Sequence, residues 1–313
     1  MAFCPYYREM FTNAVFQLHC FHNDFRFSFR SKYIRIKQKS EKAKHSILVV
    51  RCTLRAQKGN MNYSDAIKKR IINNIKTDTK FAVSQYEEFE SAIIFRNIED
   101  NFLESTYKNI KSKPKWFDRT RKRHSHFNDG TLEMQSANSS DALLMNIFCH
   151  PKFFSWKGPS KLLNLKIENE IEFGWNPFFE NENPQHPTEI DLKIGNHIFE
   201  SKLTEETFTT REDAFVYKYQ DFQKVFNVEL LQTKDGSYNH YQLIRNILTA
   251  YKYEFDFSII IDSSRIDLLN ELLIIIQSIK DFNLRRRVNF FTWQEITEVC
   301  GSEVKEYIVK KYF

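Results

Sequence analysis

Residues 188–203 read TEIDLKIGNHIFESKL, and the alternation within them decides how the chain folds. Ile190, Leu192 and Ile194 alternate with Glu189, Asp191 and Lys193, the period of a half-buried strand. Gly195-Asn196 is a two-residue hairpin signal, after which 197–203 returns antiparallel. A tight turn sets Asp191 opposite Glu200 and Glu189 opposite Lys202. These four then share one face, and Ile190, Leu192, Ile194, Phe199 and Leu203 share the other. Directly opposed Cβ atoms lie roughly 5 Å apart, where like charges repel. Two readings offset the Asp191–Glu200 repulsion. One is a solvated polar face neutralised by Lys193 and Lys202. The other is a divalent cation such as Mg²⁺, which takes oxygen ligands. Either way Lys202 is read as surface-facing, so Lys202→Ala is expected to change stability little.

Elements on both sides of the hairpin extend an α/β pattern. Ser139 or Ser140 caps a helix through Phe148, ended by Pro151. Residues 168–179, ENEIEFGWNPFF, alternate as a strand, with Glu168, Glu170 and Glu172 on one face and Ile167, Ile171 and Phe173 on the other. Residues 240–251 form a helix with a Tyr241, Ile244, Leu248, Tyr251 stripe, and Gln242, Arg245 and Asn246 on another face. FDFSIII (255–261) is a buried strand, 265–280 a helix, VNFF (288–291) a strand, and Thr292 to Glu295 a capping box. Upstream, 64–110 reads as helices: Ser64 caps a stripe of Ile67, Ile71 and Ile75, and Tyr86, Phe89, Ile93 and Phe102 fall near helical spacing. The fold expected is a central mixed sheet with the hairpin in a meander at its centre and helices on both sides. Its domain is 136–313, preceded by a helical region at 61–135.

The chain has 313 residues, enough for one α/β domain with additions. No apolar run approaches the ~20 residues of a membrane span. Five cysteines, none in a CxxC pair, exclude a zinc ribbon or disulfide scaffold and point to a reducing, cytoplasmic setting. The net charge of +6 is unevenly placed. Residues 1–60 carry 12 Lys and Arg against 3 Asp and Glu, which leaves 34 against 37 in the rest. This first segment is read as sequence upstream of a true start at Met61, as a targeting segment, or as a basic arm on DNA; the first reading is favoured. A second basic run, KSKPKWFDRTRKRH (111–124), gathers Lys113, Lys115, Arg119, Arg121 and Arg123 around Trp116 and Phe117. It reads equally as a phosphate-binding patch and as a solvated loop.

Asp191, eight residues, then Glu200-Ser201-Lys202 resembles the active-site signature of the PD-(D/E)XK nuclease superfamily, without the proline before the acid. SSDALLMNIF (139–148), ESKLTEETF (200–208), YQLIRNILTA (241–250) and FFTWQEI (290–296) resemble, in order, elements of one restriction-endonuclease branch. The resemblance implies a restriction-endonuclease-like core and metal-dependent DNA hydrolysis in bacterial restriction or defence. Asp191 and Glu200 would hold Mg²⁺ or Mn²⁺, with the Ser201 carbonyl as a third oxygen and Glu170 or Glu172 as a further upstream acid. Lys202 would position or activate water, Gln242 would orient water or phosphate, and Arg245 would contact phosphate. DNA is the implied partner, a homodimer suits double-strand cleavage, and a DNA methyltransferase encoded nearby would mark restriction. Two rivals are a nucleic-acid-binding protein that keeps the fold without catalysis and an interaction protein with an acidic hairpin.

Overall fold

The computed structural model describes residues 62–313, apart from 82–83, 125–129, 167–169, 181–187 and 232, and four strands ahead of them. Ile167, Glu168 and the loop 181–187 lie outside the described residues. Residues 1–61 and 62–313 are separate compact units. The first holds Gln17–Cys20, Phe25–Arg30, Tyr33–Gln38 and Leu48–Arg51 in an antiparallel sheet, its third strand beside the second, first and fourth in turn. The FRFSFR run is one of these strands, and its Phe/Arg alternation is the strand period.

The second unit is built on five strands: β1 (Ile171–Trp175), β2 (Ile190–Ile194), β3 (His197–Ser201), β4 (Asp256–Ile261) and β5 (Val288–Thr292). Their spatial order is β5-β4-β3-β2-β1. The first three form an antiparallel meander, and β4 lies parallel to both β3 and β5. The meander therefore runs from the edge strand β1 to β3, the central strand of the five. Parallel neighbours need crossovers, and helices supply them. One face of the sheet shares an apolar core with α1 (Tyr63–Thr77), α2 (Glu104–Lys111), α3 (Pro114–Arg119) and α4 (Ser140–Phe148). The other packs on α5 (Tyr241–Tyr253) and α6 (Ile266–Ser278), the two crossovers. The last helix, α7 (Ser302–Tyr312), joins the first layer through Val304, Tyr307 and Ile308.

Ile67, Ile71 and Ile75 of α1 share their cluster with Leu192, Phe199 and Ile260 of the sheet. The helical region expected to end near 135 is thus part of the same body as the sheet. Its interior differs from the helical reading: Tyr86–Glu88 and Ile93–Phe95 are a small hairpin, whose short extended runs mimic helical spacing. Asn62, rather than Ser64, caps α1, because its carboxamide accepts the Asp65 N–H. Ser139 caps α4 through the Ala142 N–H, and Thr292 and Glu295 form the expected reciprocal capping box.

Within the hairpin only Gly195 takes a positive φ, and Ile194 pairs with His197, Lys193 with Ile198 and Leu192 with Phe199. The one-face rule then breaks. Leu192, Ile194 and Phe199 enter one core, but Ile190 enters the other with Ile198. On β1 the same switch separates Phe173 from Trp175. Between them stands Gly174 at φ +62, a left-handed conformation that L side chains avoid. A Cβ there would also sit 2.7 Å from Arg119 Nη1. The strand pair twists over at Gly174 and Asp191, and the polar residues gather where it does so.

His197 is buried at the start of β3, stacked on Phe199 at 4.0 Å and hydrogen-bonded through Nε2 to Ser258 Oγ at 2.8 Å. Burial lowers its pKa to about 4. The unfolded chain therefore binds this proton first on acidification, and its contribution to stability is lost as pH falls from about 6.5 toward 4. Urea unfolding of His197→Phe across that window should show a shallower loss than the wild type, whatever the variant's absolute stability.

Candidate active site

Past the Leu192–Phe199 pair the β2–β3 ladder gives way to side chains. Continued register would set Ser201 opposite Ile190. Instead the Ser201 N–H donates to Asp191 Oδ2 at 2.7 Å, and Ser201 Oγ donates to the same oxygen at 3.0 Å. A strand residue directs its N–H and C=O to the same neighbour, so the Ser201 carbonyl belongs to this side as well. Lys202 keeps its backbone on β4, donating to Ile260 O at 2.8 Å, while its own carbonyl accepts from Trp293 Nε1 at 2.9 Å.

The Lys202 ammonium lies 2.9 Å from Glu200 Oε1 and donates to Gln242 Oε1 at 2.8 Å. Glu200 Oε2 accepts from Asn246 Nδ2 at 2.7 Å. Gln242 and Asn246 are four apart on α5, so one helix face serves both ions. Glu200 is 1% and Lys202 5% exposed. This corrects the surface-facing reading of Lys202: the α5 layer covers it.

Asp191 is half-buried, and its Oδ1 accepts no hydrogen bond from a described residue. Burial disfavours its charge, and Glu200 and Asp141 add like charge, so its pKa is pushed well above the carboxylate range despite Lys202 and the Ser201 N–H. For Lys202 burial pulls the other way, but Glu200, Glu205 and Asp191 outweigh it and raise its pKa. Glu205 is tied down behind the site, accepting from the Leu203 N–H and from Ser140 Oγ, both at 2.6 Å.

Arg119 closes the other side. Its guanidinium reaches Asp141 Oδ2 and Glu189 Oε1, each at 2.7 Å. Burial opposes its charge, yet Asp141, Glu189 and Asp191 more than restore it and raise its pKa. Glu189, expected opposite Lys202, turns to Arg119 and to Lys122 at 3.5 Å, and its carbonyl accepts from Arg245 Nη2 at 3.0 Å. Burial works against its charge, but these cations prevail and its pKa is lowered.

The structure therefore brings together Asp191, Glu200, Ser201, Lys202, Gln242 and, one turn on, Arg245. It does not bring Glu170 there. Glu170 is exposed beside the hairpin turn, where its carbonyl accepts from Gly195 N, because antiparallel β1 starts at the turn end of β2. Glu172 is ion-paired to Lys193. The upstream acid that does reach the group is Asp141. Its signal in the sequence was one carboxylate in α4, every residue of which from 141 to 148 is buried. Asn246 was visible only as a polar position beside Gln242. In the basic run, Arg119 is consumed by acids and Lys113 lies over the Trp116 ring at 3.7 Å. Lys115, Arg121 and Arg123 are exposed.

Among the described residues no three His, Cys, Asp or Glu side chains gather as a metal-holding group. The donors suit a hard cation nonetheless: two carboxylates on adjoining strands, one oxygen unshared, with burial and then neighbouring like charge both disfavouring an uncompensated charge on Asp191. An α/β protein with a carboxylate pair and a lysine at the point where two strands part is the class that fold and site define. A family model described as restriction endonuclease associating with ARP matches residues 59–313, and the chain belongs to that family. No curated protein and no solved structure matches it. No helix among the described residues is long and apolar enough to cross a membrane.

Removing Lys202 alone leaves the Glu200 charge buried without its cation. Lys202→Ala should therefore lower unfolding free energy by about 3 kcal/mol. Glu200→Gln combined with Lys202→Met removes both charges and should recover most of that loss. Urea denaturation of the two variants beside the wild type measures both numbers.

Proposed function

We propose that this chain is a divalent-metal-dependent DNA endonuclease of bacterial restriction or defence, with a PD-(D/E)XK-type core. The observation that carries the reading is the convergence of Asp191, Glu200 and Lys202, with Gln242 on the lysine, in a chain of a restriction-endonuclease family. The element order α4, β1, β2, β3, α5, β4 supports it, since the meander sets both acids and the lysine beside the helix that bears Gln242.

Asp191, Glu200 and the Ser201 carbonyl are the oxygens to hold Mg²⁺ or Mn²⁺. A bound cation of this kind polarises the scissile phosphate and lowers the pKa of an attacking water. Lys202, held charged by Glu200, Glu205 and Asp191, places its ammonium at the phosphoryl oxygens as charge develops there. Gln242 orients that ammonium through its carboxamide oxygen. Asp141 takes the place given to Glu170 as the upstream acid, acting on Asp191 by like charge. Cleavage of both strands calls for two copies of the chain, in the cytoplasm where the DNA lies. A methyltransferase encoded nearby would mark self-protection, and the family description adds ARP as an associate.

Plasmid DNA incubated with the protein and Mg²⁺ should be nicked or linearised, and EDTA should stop it. A protein that binds DNA in EDTA but never cuts with Mg²⁺ or Mn²⁺ overturns the catalytic reading. Asp191→Asn should abolish cleavage. The wild type should also gain about 2.7 kcal/mol of stability at a hundredfold excess of Mg²⁺ over its dissociation constant, and Asp191→Asn should gain far less.

The pH dependence has a definite sign. Metal-free native protein holds the Asp191 proton above the pH at which the unfolded chain releases it. Its stability therefore falls as pH rises from the ordinary carboxylate range through the raised pKa. Mg²⁺ competes with that proton, so the melting temperature gained on adding Mg²⁺ should grow with pH over the same window.

A further inference from the structure

Between β3 and α5 the chain inserts residues 204–240, which fold as a small module. Arg211–Glu212, Ser237–Tyr238 and Thr233–Lys234 form a three-stranded sheet. Phe208, Val216, Phe222 and Tyr238 sink into the core shared with α5. The module is locked to the first turn of α5: the Tyr241 and Gln242 N–H groups donate to Thr209 O and Phe208 O, and the Tyr219 and Tyr241 hydroxyls lie 2.9 Å apart. Gln242 is the residue that holds Lys202. The module is thus joined rigidly to the wall of the site.

On its outer side the module presents cations over aromatic rings. The Arg211 guanidinium lies 5.5 Å from the Phe215 ring centre and 5.8 Å from that of Tyr241. Arg245 lies 5.5 Å from the same Tyr241 ring. Neither arginine has a carboxylate partner among the described residues. Arg245 donates only to a backbone carbonyl, and its buried Nε has no partner. The acidic neighbour Glu212 follows Arg211 on a strand, so the two side chains point to opposite faces. Contrast Arg119, whose charge is spent on Asp141 and Glu189. A guanidinium lying on aromatic faces is held in place and keeps its edge donors for a planar or tetrahedral oxyanion.

We infer that Arg211 and Arg245, set on Tyr241, form a backbone-phosphate subsite of the nucleic acid next to the scissile phosphate. Resting on the nuclease reading, it names the surface over which the strand leaves Lys202. Both guanidinium groups are within 6 Å of one ring centre, a spread that suits neighbouring phosphates of one strand. Arg119 of the 111–124 run also borders the site but is ion-paired to Asp141 and Glu189, whereas Arg211 and Arg245 keep their charge beside the helix that bears Gln242.

The test is the salt dependence of binding in EDTA, with a fluorescein-labelled 20-base-pair duplex and the matching single strand as probes. Each lost phosphate contact lessens the slope of log K against log salt by about 0.9 for duplex and about 0.7 for single strand. Arg211→Ala and Arg211→Gln should each show that change on the preferred probe, with melting temperatures close to wild type because the side chain is exposed. Lys310→Ala on α7, which removes an exposed cation paired to Glu306, should leave the slope unchanged. Wild-type slopes in both Arg211 variants overturn the subsite while leaving the nuclease reading intact. A reduced slope in a protein that never cuts with Mg²⁺ or Mn²⁺ upholds the subsite and overturns the nuclease. No binding of either probe by wild type overturns both.

Discussion

An ammonium and a carboxylate buried 2.9 Å apart hold this site together, and most of its surroundings exist to make that contact tolerable. Burying two ions costs more than their attraction returns unless further hydrogen bonds satisfy them. Gln242 and Asn246 supply those bonds from one face of α5, which fixes how the helix is rotated over β3. Trp293 holds the Lys202 carbonyl from the opposite layer. The pair is therefore braced from both sides of the sheet.

Charge is not balanced beyond the pair. Arg119 is ion-paired to Asp141 and Glu189 and not to Asp191. Burial, and then the like charges of Glu200 and Asp141, raise the pKa of Asp191, the residue with an unshared oxygen. That imbalance is confined to the place where β2 and β3 stop exchanging backbone hydrogen bonds. Gly174 makes the place possible: its left-handed φ turns the edge strand over, and its missing Cβ leaves room for Arg119. Any side chain there would displace the guanidinium that pairs with Asp141 and Glu189.

Cations are distributed in space differently from how they run in sequence. The 111–124 run looks like the basic surface because its charges are adjacent. Folding spends Arg119 on acids and lays Lys113 on Trp116. Arg211 and Arg245 are far apart in the chain, and neither stands in a basic run, yet one tyrosine ring gathers them.

The sequence by itself determined the hairpin, its turn and its register through Leu192–Phe199, because alternation and a Gly-Asn turn act between near neighbours. It also determined the caps of α4 and of the helix at Thr292, and the apolar stripes of α1 and α5. Asp191, Glu200 and Lys202 could be named from spacing and resemblance for the same reason: they lie on one hairpin. Only the tertiary structure decided that Lys202 is buried, that Asp141 and not Glu170 approaches Asp191, and that Tyr86 to Phe95 form a hairpin. Each of these depends on which distant element covers a residue. Desolvation and charge pairing act through space, and no local period along the chain records them.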